Sequence, residues 1–262
     1  MITIILFLLT QFSLASVSLA PEDSKPVRQF VQKFSQKTHI PTEWLNQQFQ
    51  SLHLNERVLS LIQKPYEDKI WGDYQRHLLS QRRIDGGKRF MQNNQVALSQ
   101  AHQDYGVDPS VIVAILGVET SYGENMGNFN SLEALATLAF FYAPRHSFFE
   151  DEMAALLTVG YEKKWDLHSV KGSYAGALGM PQFMPSNIIS YAVAGTLSVH
   201  KHISLFNHAD DVISSVANYL KGRGRWKKGE PIVTPLTNLS SDTLAQLDQK
   251  FGNKNIIALD ND

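Results

Sequence analysis

A glutamate at the end of an apolar helical stripe is the residue in this sequence best placed for acid chemistry. Glu119 follows Ile115 by four positions and Ile112 by seven. On a helix it therefore points the same way as those two side chains. Burying an unpaired carboxylate is costly, and the usual response is a raised pKa that keeps the group protonated. A carboxyl that is protonated near neutral pH is what a general acid needs to cleave a glycosidic bond. The same spacing also suits a core glutamate satisfied by an arginine or a backbone amide, and the helix alone does not separate the two.

Most glycosidases place a second carboxylate about 5–9.5 Å from the acid, as nucleophile or base. Glu124 is the nearest in sequence. At roughly 100° per residue it would sit about 140° around the helix from Glu119. Glu133 belongs to the next element and is explained as part of a helix cap. A single-acid mechanism, with an internal substrate hydroxyl as nucleophile, fits this pattern; a distant Asp folding into place is the alternative.

The elements that must position Glu119 read as helices with polar punctuation. Val27, Phe30, Val31 and Phe34 mark one face of a helix over 26–38, and Leu45, Phe49 and Leu52 mark another over 41–52, with Trp44 beside the stripe. A further amphipathic stretch runs over about 87–105. Asp108-Pro109 has the form of an N-cap with proline in the first turn, opening the Glu119 helix, which should end near Gly123. Asn130 and Glu133 form a capping-box pattern ahead of Leu132, Leu135, Ala136 and Leu138. Helices are expected over 147–160 and 209–221. Sustained alternation is almost absent and no long period repeats, so the expectation is a mainly α fold with irregular additional segments.

Composition narrows the function classes. The 262 residues carry 24 Lys plus Arg against 25 Asp plus Glu, for a net charge of −1. That balance argues against a dedicated nucleic-acid binder. With no cysteine, disulfide scaffolds, thiolate metal sites, cysteine nucleophiles and lipid attachment through cysteine are excluded. No charged side chain precedes Glu22, and the apolar run from Ile2 to Leu14 leads into small residues. Residues 1–20 accordingly read as a secretory signal peptide, with cleavage after Ala15 or Ser18 as alternatives to Ala20, since Pro21 hinders the latter. The run is shorter than the roughly 18 residues of a membrane span, so no stable membrane anchor is expected. The mature chain is expected in the periplasm or outside the cell.

Three blocks carry a resemblance. Gly117-Val118-Glu119-Thr120-Ser121-Tyr122-Gly123, the run from Lys171 through Gly179-Met180-Pro181-Gln182-Phe183 to Ser186, and Ser215-Val216-Ala217-Asn218-Tyr219 resemble, in order and spacing, the motifs of the membrane-bound lytic murein transglycosylase B family, glycoside hydrolase family 103. The similarity extends from about Trp71 to Gly229. It implies a lysozyme-like helical domain over 21–229, followed by an irregular segment over 230–262 that is shorter than the family's. It also implies cleavage of the β-1,4 bond between N-acetylmuramic acid and N-acetylglucosamine in peptidoglycan strands, leaving a 1,6-anhydro end. Glu119 would be the acid and then the base. Ser173 and Gln182 match cleft positions suited to hydrogen bonding the sugar, although Ser173 alone also suits a role in shaping the Gly-rich turn. Tyr219 and Tyr74 match cleft tyrosines whose rings pack on sugar faces.

Departures from the family pattern bear on binding. Tyr142-Ala143-Pro144-Arg145 stands where the family often has two arginines, leaving Arg145 as the guanidinium for a peptide stem or muramyl carboxylate. The residues after Tyr191-Ala192-Val193 contain neither Asp nor Glu through His202, so no calcium site is expected there, and no cofactor. His200 and His202 read as solvated loop residues rather than zinc ligands. The basic run Lys221, Arg223, Arg225, Lys227, Lys228 around Trp226 reads as a solvated loop with weak attraction to anionic wall polymer. No protein partner is indicated.

Overall fold

The computed structural model describes residues 16–63, 76–198, 202–231, 240–243 and 246. The chain divides into two compact units, Met1–Asn55 and Glu56–Asp262, a boundary the sequence reading did not draw.

In the first unit, α1 (Lys25–Thr38) and α2 (Thr42–Phe49) bury the faces their spacing predicts: Val27, Phe30, Val31 and Phe34 from one, Leu45 and Phe49 from the other. Phe30 stacks on Phe34 with centroids 5.3 Å apart and meets Phe49 edge-on at 6.1 Å. Residues just before α1 are part of this unit. The Leu19 N–H donates to Leu52 O, the Leu54 N–H donates to Val17 O, and the Leu19 side chain is fully buried.

The second unit contains α3 (Glu56–Gln63), α4 (Gln81–Asn93), α5 (Gln95–Tyr105), α6 (Pro109–Thr120), β1 (Phe129–Asn130), α7 (Ser131–Phe141), α8 (His146–Lys163), β2 (Lys171–Gly172), α9 (Pro185–Tyr191) and α10 (Ala209–Gly222). α7 is apolar nearly all round and buries Leu132, Leu135, Ala136 and Leu138, as a helix enclosed by neighbours must. It packs on α8 and α3; α8 packs on α9, α5 on α10, and α4 along α6. β1 and β2 form a two-stranded antiparallel ribbon pairing Phe129 with Gly172 and Asn130 with Lys171.

Both predicted caps form. Asp108 Oδ1 accepts from the Ser110 N–H at 2.8 Å and the Ser110 hydroxyl at 2.6 Å. Asn130 Oδ1 accepts from the Glu133 N–H at 2.8 Å, while its amide donates to Leu167 O and His168 O. The amphipathic stretch expected over 87–105 is instead two helices that begin at Gln81 and break at Asn94. Asn94 donates from its side chain to Phe90 O, competing with the backbone where a continuous helix would need it. Among the described residues no helix is long and apolar enough to cross a membrane.

Candidate active site

The Glu119 helix ends one residue after Glu119. Ile112, Val113, Leu116, Gly117 and Thr120 face the core, whereas Glu119 emerges at the last turn where that packing stops. Glu119 is therefore solvent-accessible rather than sealed in the core. Enough protein still surrounds the carboxyl for desolvation to raise its pKa, and desolvation is the cause of that shift. Among the described residues Glu119 makes no hydrogen bond and no ion pair. The reading of a core glutamate neutralised by arginine is thus not the arrangement seen.

Neighbouring residues lock the backbone on either side. Thr120 is buried; its hydroxyl donates to Met180 O at 2.8 Å and accepts from the Gly123 N–H at 2.9 Å. Ser121, Tyr122 and Gly123 all have positive φ, at 51°, 64° and 92°, and turn the chain sharply away from the helix axis. Glu124, the nearest carboxylate in sequence, is paired with Arg82 at 2.8 Å on the surface.

Met180 leads to the segment that carries two predicted binding residues. Leu178 bridges to both Gly172 and Phe183, making a compact loop. Within it the Ser173 hydroxyl accepts from the Ala177 N–H at 3.0 Å, and Ser173 O accepts from the Gly176 N–H. Ser173 thereby shapes the Gly-rich turn, and its own O–H donates to no acceptor among the described residues. Gly176 has φ 85°, and a Cβ there would lie 2.4 Å from Leu135 Cδ2, so the turn requires glycine. Gln182 sits at φ 50°, a left-handed conformation that is costly for a side-chain-bearing residue and often retained at functional sites. Its Nε2 donates to Gly179 O at 2.9 Å and Met126 O at 3.2 Å, and its Oε1 makes no hydrogen bond among the described residues.

Tyr219 on α10 joins the same frame through Phe183, whose ring lies 5.3 Å from its own; Tyr191 meets Tyr219 edge-on at 5.3 Å. Glu119, Ser173, Gln182 and Tyr219 are thus linked through Thr120, Met180 and Phe183. Arg145 lies in the exposed α7–α8 connection, with its guanidinium 4.3 Å from the Phe148 ring centroid and 5.2 Å from that of Phe149. Tyr74 lies outside the described residues, as do His200 and most of the 230–262 segment.

Sequence reasoning missed several supports. Glu152 is buried and accepts from the Ser186 N–H at 2.9 Å and its hydroxyl at 2.7 Å, anchoring the start of α9. Trp226 donates to Gly106 O at 2.9 Å, and Lys221 donates to Asp104 O, so part of the basic run is fastened over the carbonyl end of α5. A cavity of about 450 Å³ at the end of α6 is lined by Arg76, Arg82, Arg83, Ser121, Tyr122 and Asn125. A more apolar one of about 160 Å³, between Trp165, Ile188 and Phe206, contains no predicted site residue.

The stretch beyond Val193 offers a poor donor set for calcium, which takes six to eight oxygens. The carboxylates beside it come from α10 and hold backbone donors: Asp211 accepts from the Gly195 and Ser204 N–H groups, each at 2.9 Å, and Asp210 Oδ2 from the Leu197 N–H. Among the described residues no three His, Asp or Glu side chains gather as metal ligands.

Known proteins resemble this chain in sequence and in fold. Membrane-bound lytic murein transglycosylase B of Escherichia coli (strain K12) is 41% identical over 162 residues, which are 62% of this chain and 44% of that protein. The chain therefore spans less than half the length of that curated relative. The crystal structure of the soluble lytic transglycosylase SltB1 from Pseudomonas aeruginosa superposes with a TM-score of 0.74 at 38% identity, covering 79% of this chain and 69% of that one. The Escherichia coli lytic transglycosylase Slt35, solved in complex with calcium, gives 0.74 at 34% identity, covering 84% and 70%. The fold is thus the mainly helical, lysozyme-like one of these lytic transglycosylases. The model of the transglycosylase SLT domain family matches residues 22–258, nearly the whole chain, and the chain belongs to that family.

Proposed function

We propose that this chain cleaves the β-1,4 bond between N-acetylmuramic acid and N-acetylglucosamine in peptidoglycan strands and closes a 1,6-anhydro ring on the muramyl product. One observation carries the reading: an accessible carboxyl, Glu119, free of any cation or hydrogen-bond donor among the described residues and shifted by desolvation toward its protonated form. Glu119 gives its proton to the glycosidic oxygen as the C1–O bond breaks. The resulting carboxylate takes the proton of the muramyl C6 hydroxyl as that oxygen bonds to C1, so the acid is regenerated and no water is consumed. The nucleophile belongs to the same sugar ring, which makes the attack intramolecular. The pairing of Glu124 with Arg82 supports this single-acid route over one with two carboxylates.

In this reading the Ser173 O–H and the Gln182 Oε1 hydrogen-bond the N-acetyl and hydroxyl groups of the sugars, and Tyr219 offers a ring face with Tyr74 as its companion. Arg145 takes a carboxylate of the muramyl or stem-peptide part, leaving its stack on Phe148 to do so. The proposed steps call on no metal or cofactor. Calcium in the Slt35 complex is a feature of that protein; in this chain the carboxylates beside the stretch after Val193, Asp211 and Asp210, accept from backbone amides.

The substrate places the mature chain outside the cytoplasm. Cleavage of a leader after Ala15 suits the structure better than cleavage after Ala20, because Val17 and Leu19 are bonded to Leu54 and Leu52. N-terminal sequencing of the exported protein tests that boundary.

Mass analysis of the muropeptides released from purified sacculi tests the reaction. Products one water lighter than reducing muropeptides, without reducing ends, are expected. Reducing ends would make the enzyme a hydrolysing muramidase, and binding without release would make the chain a wall-binding scaffold.

A further inference from the structure

Glu119 has no side-chain partner among the described residues, so its position is set by the backbone that carries it. On one side that backbone is tied through Thr120 to Met180. On the other it is clamped to α4 in a reciprocal way. Arg83 donates from Nε and Nη2 to the Ser121 hydroxyl at 3.2 and 3.1 Å, and Tyr122 returns its own hydroxyl to Arg83 O at 3.1 Å. The third nitrogen of Arg83, Nη1, donates to His77 O at 2.8 Å, which fixes the guanidinium plane.

The two helices are shaped to admit this clamp. Gly86 and Gly87 on α4 and Gly117 on α6 leave a slot for the Tyr122 ring; a Cβ at Gly87 or Gly117 would lie 2.5 Å from its hydroxyl. Phe90 closes the slot by stacking on Tyr122 with centroids 5.6 Å apart. Ser121 and Tyr122 are held with φ of 51° and 64°, conformations that side-chain-bearing residues keep only when their surroundings impose them. The Ser121 N–H reaches Gly117 O and the Tyr122 N–H reaches Leu116 O, so the turn closes the helix directly behind Glu119.

We propose that Arg83 and Tyr122 are positioning residues for Glu119, acting through the left-handed turn at Ser121 and Tyr122. This inference rests on Glu119 being the acid. Arg83 holds the turn, the turn fixes the last helical residues, and those residues aim the carboxyl and keep it partly out of water.

The experiment measures kcat, KM and the pH profile on a soluble peptidoglycan oligomer for wild type, Arg83→Ala, Arg83→Lys, Tyr122→Phe, Ser121→Ala and Arg83→Ala/Ser121→Ala, with Glu119→Gln alongside. Arg83→Ala is expected to lower kcat at least tenfold with KM unchanged within about twofold. It also moves the alkaline limb of the profile to lower pH, because a looser carboxyl regains solvation. Arg83→Lys restores part of kcat, Tyr122→Phe shows the same pattern more weakly, and the double variant is no worse than Arg83→Ala alone. Circular dichroism and melting keep folding separate, and if Arg83→Ala does not fold, Arg83→Lys and Tyr122→Phe carry the test. Wild-type kcat and pH limb in folded Arg83 and Tyr122 variants would overturn the inference, and so would a loss that appears wholly in KM. An active Glu119→Gln would instead overturn the assignment of the acid itself.

Discussion

The hydroxyl of Thr120 donates to the carbonyl of Met180 at 2.8 Å across 60 positions of sequence, joining the residue after the candidate acid to the loop that carries Ser173 and Gln182. Because Thr120 also accepts from the Gly123 N–H, one buried side chain holds the candidate acid and the Gly-rich loop in a common frame.

Thr120→Val preserves shape and removes both bonds. A buried donor or acceptor left without a partner costs about 1–3 kcal/mol. The variant is expected to lose stability in that range by urea denaturation, and to lose activity at temperatures where it is still folded. Wild-type activity in the folded variant would show that the Thr120–Met180 tie does not position the site.

The raised pKa of Glu119 has a definite sign for stability. The native state retains a proton that the unfolded chain releases at lower pH, so this group opposes folding as pH rises above the ordinary carboxylate range. Below that range both states are protonated and the effect vanishes. Glu119→Gln should therefore match wild type in stability under acid conditions and gain on it as pH rises toward neutrality. Denaturation curves at a series of pH values check this, and a gain confined to low pH would contradict it.

Gly117→Ala tests the slot on α6. Alanine in a helix interior is ordinarily better than glycine by about 0.5–1 kcal/mol. Here the added Cβ would lie 2.5 Å from the Tyr122 hydroxyl, at the end of a ring packed between α4 and α6. A loss of about 1–3 kcal/mol, typical of overpacking, is expected by thermal or urea unfolding. A gain would show that the ring moves aside freely.

Glu152→Ala removes the buried carboxylate that receives Ser186 at the start of α9. Hydrogen bonds to a charged group contribute about 1.5–3 kcal/mol, so a loss of at least that size is expected, with Glu152→Gln milder because it keeps an acceptor. Amide exchange at 185–191 should rise in the alanine variant, since the helix has lost its anchor.

What was legible in the sequence was local. Asp108-Pro109 and Asn130 with Glu133 announce helix starts because caps act within three residues, and both form. The Val27–Phe34 stripe and the direction of Glu119 follow from helical period alone. Features set by distant partners were not legible. Nothing near Tyr122 in sequence shows that it fills a slot between Gly86, Gly87 and Gly117, or that Arg83 holds the turn before it. The start of α9 depends on Glu152, 34 positions earlier. Periodicity reports which way Glu119 points and not where along the helix the core ends, so the stripe alone leaves a core glutamate open as a reading. The motif blocks led to Ser173, Gln182 and Tyr219, which the fold links to Glu119; Arg145 was named by register, and its guanidinium rests on Phe148.

The most direct measurement is the rate at which Glu119→Gln releases anhydro-muropeptides from sacculi, beside its binding to the same sacculi. Removing a general acid and base of this kind lowers the rate by about 10²–10⁴-fold. The structure predicts a loss of that order with binding retained, because the substitution keeps size and leaves Ser173, Gln182 and Tyr219 in place. Release of anhydro products within tenfold of wild type would contradict it.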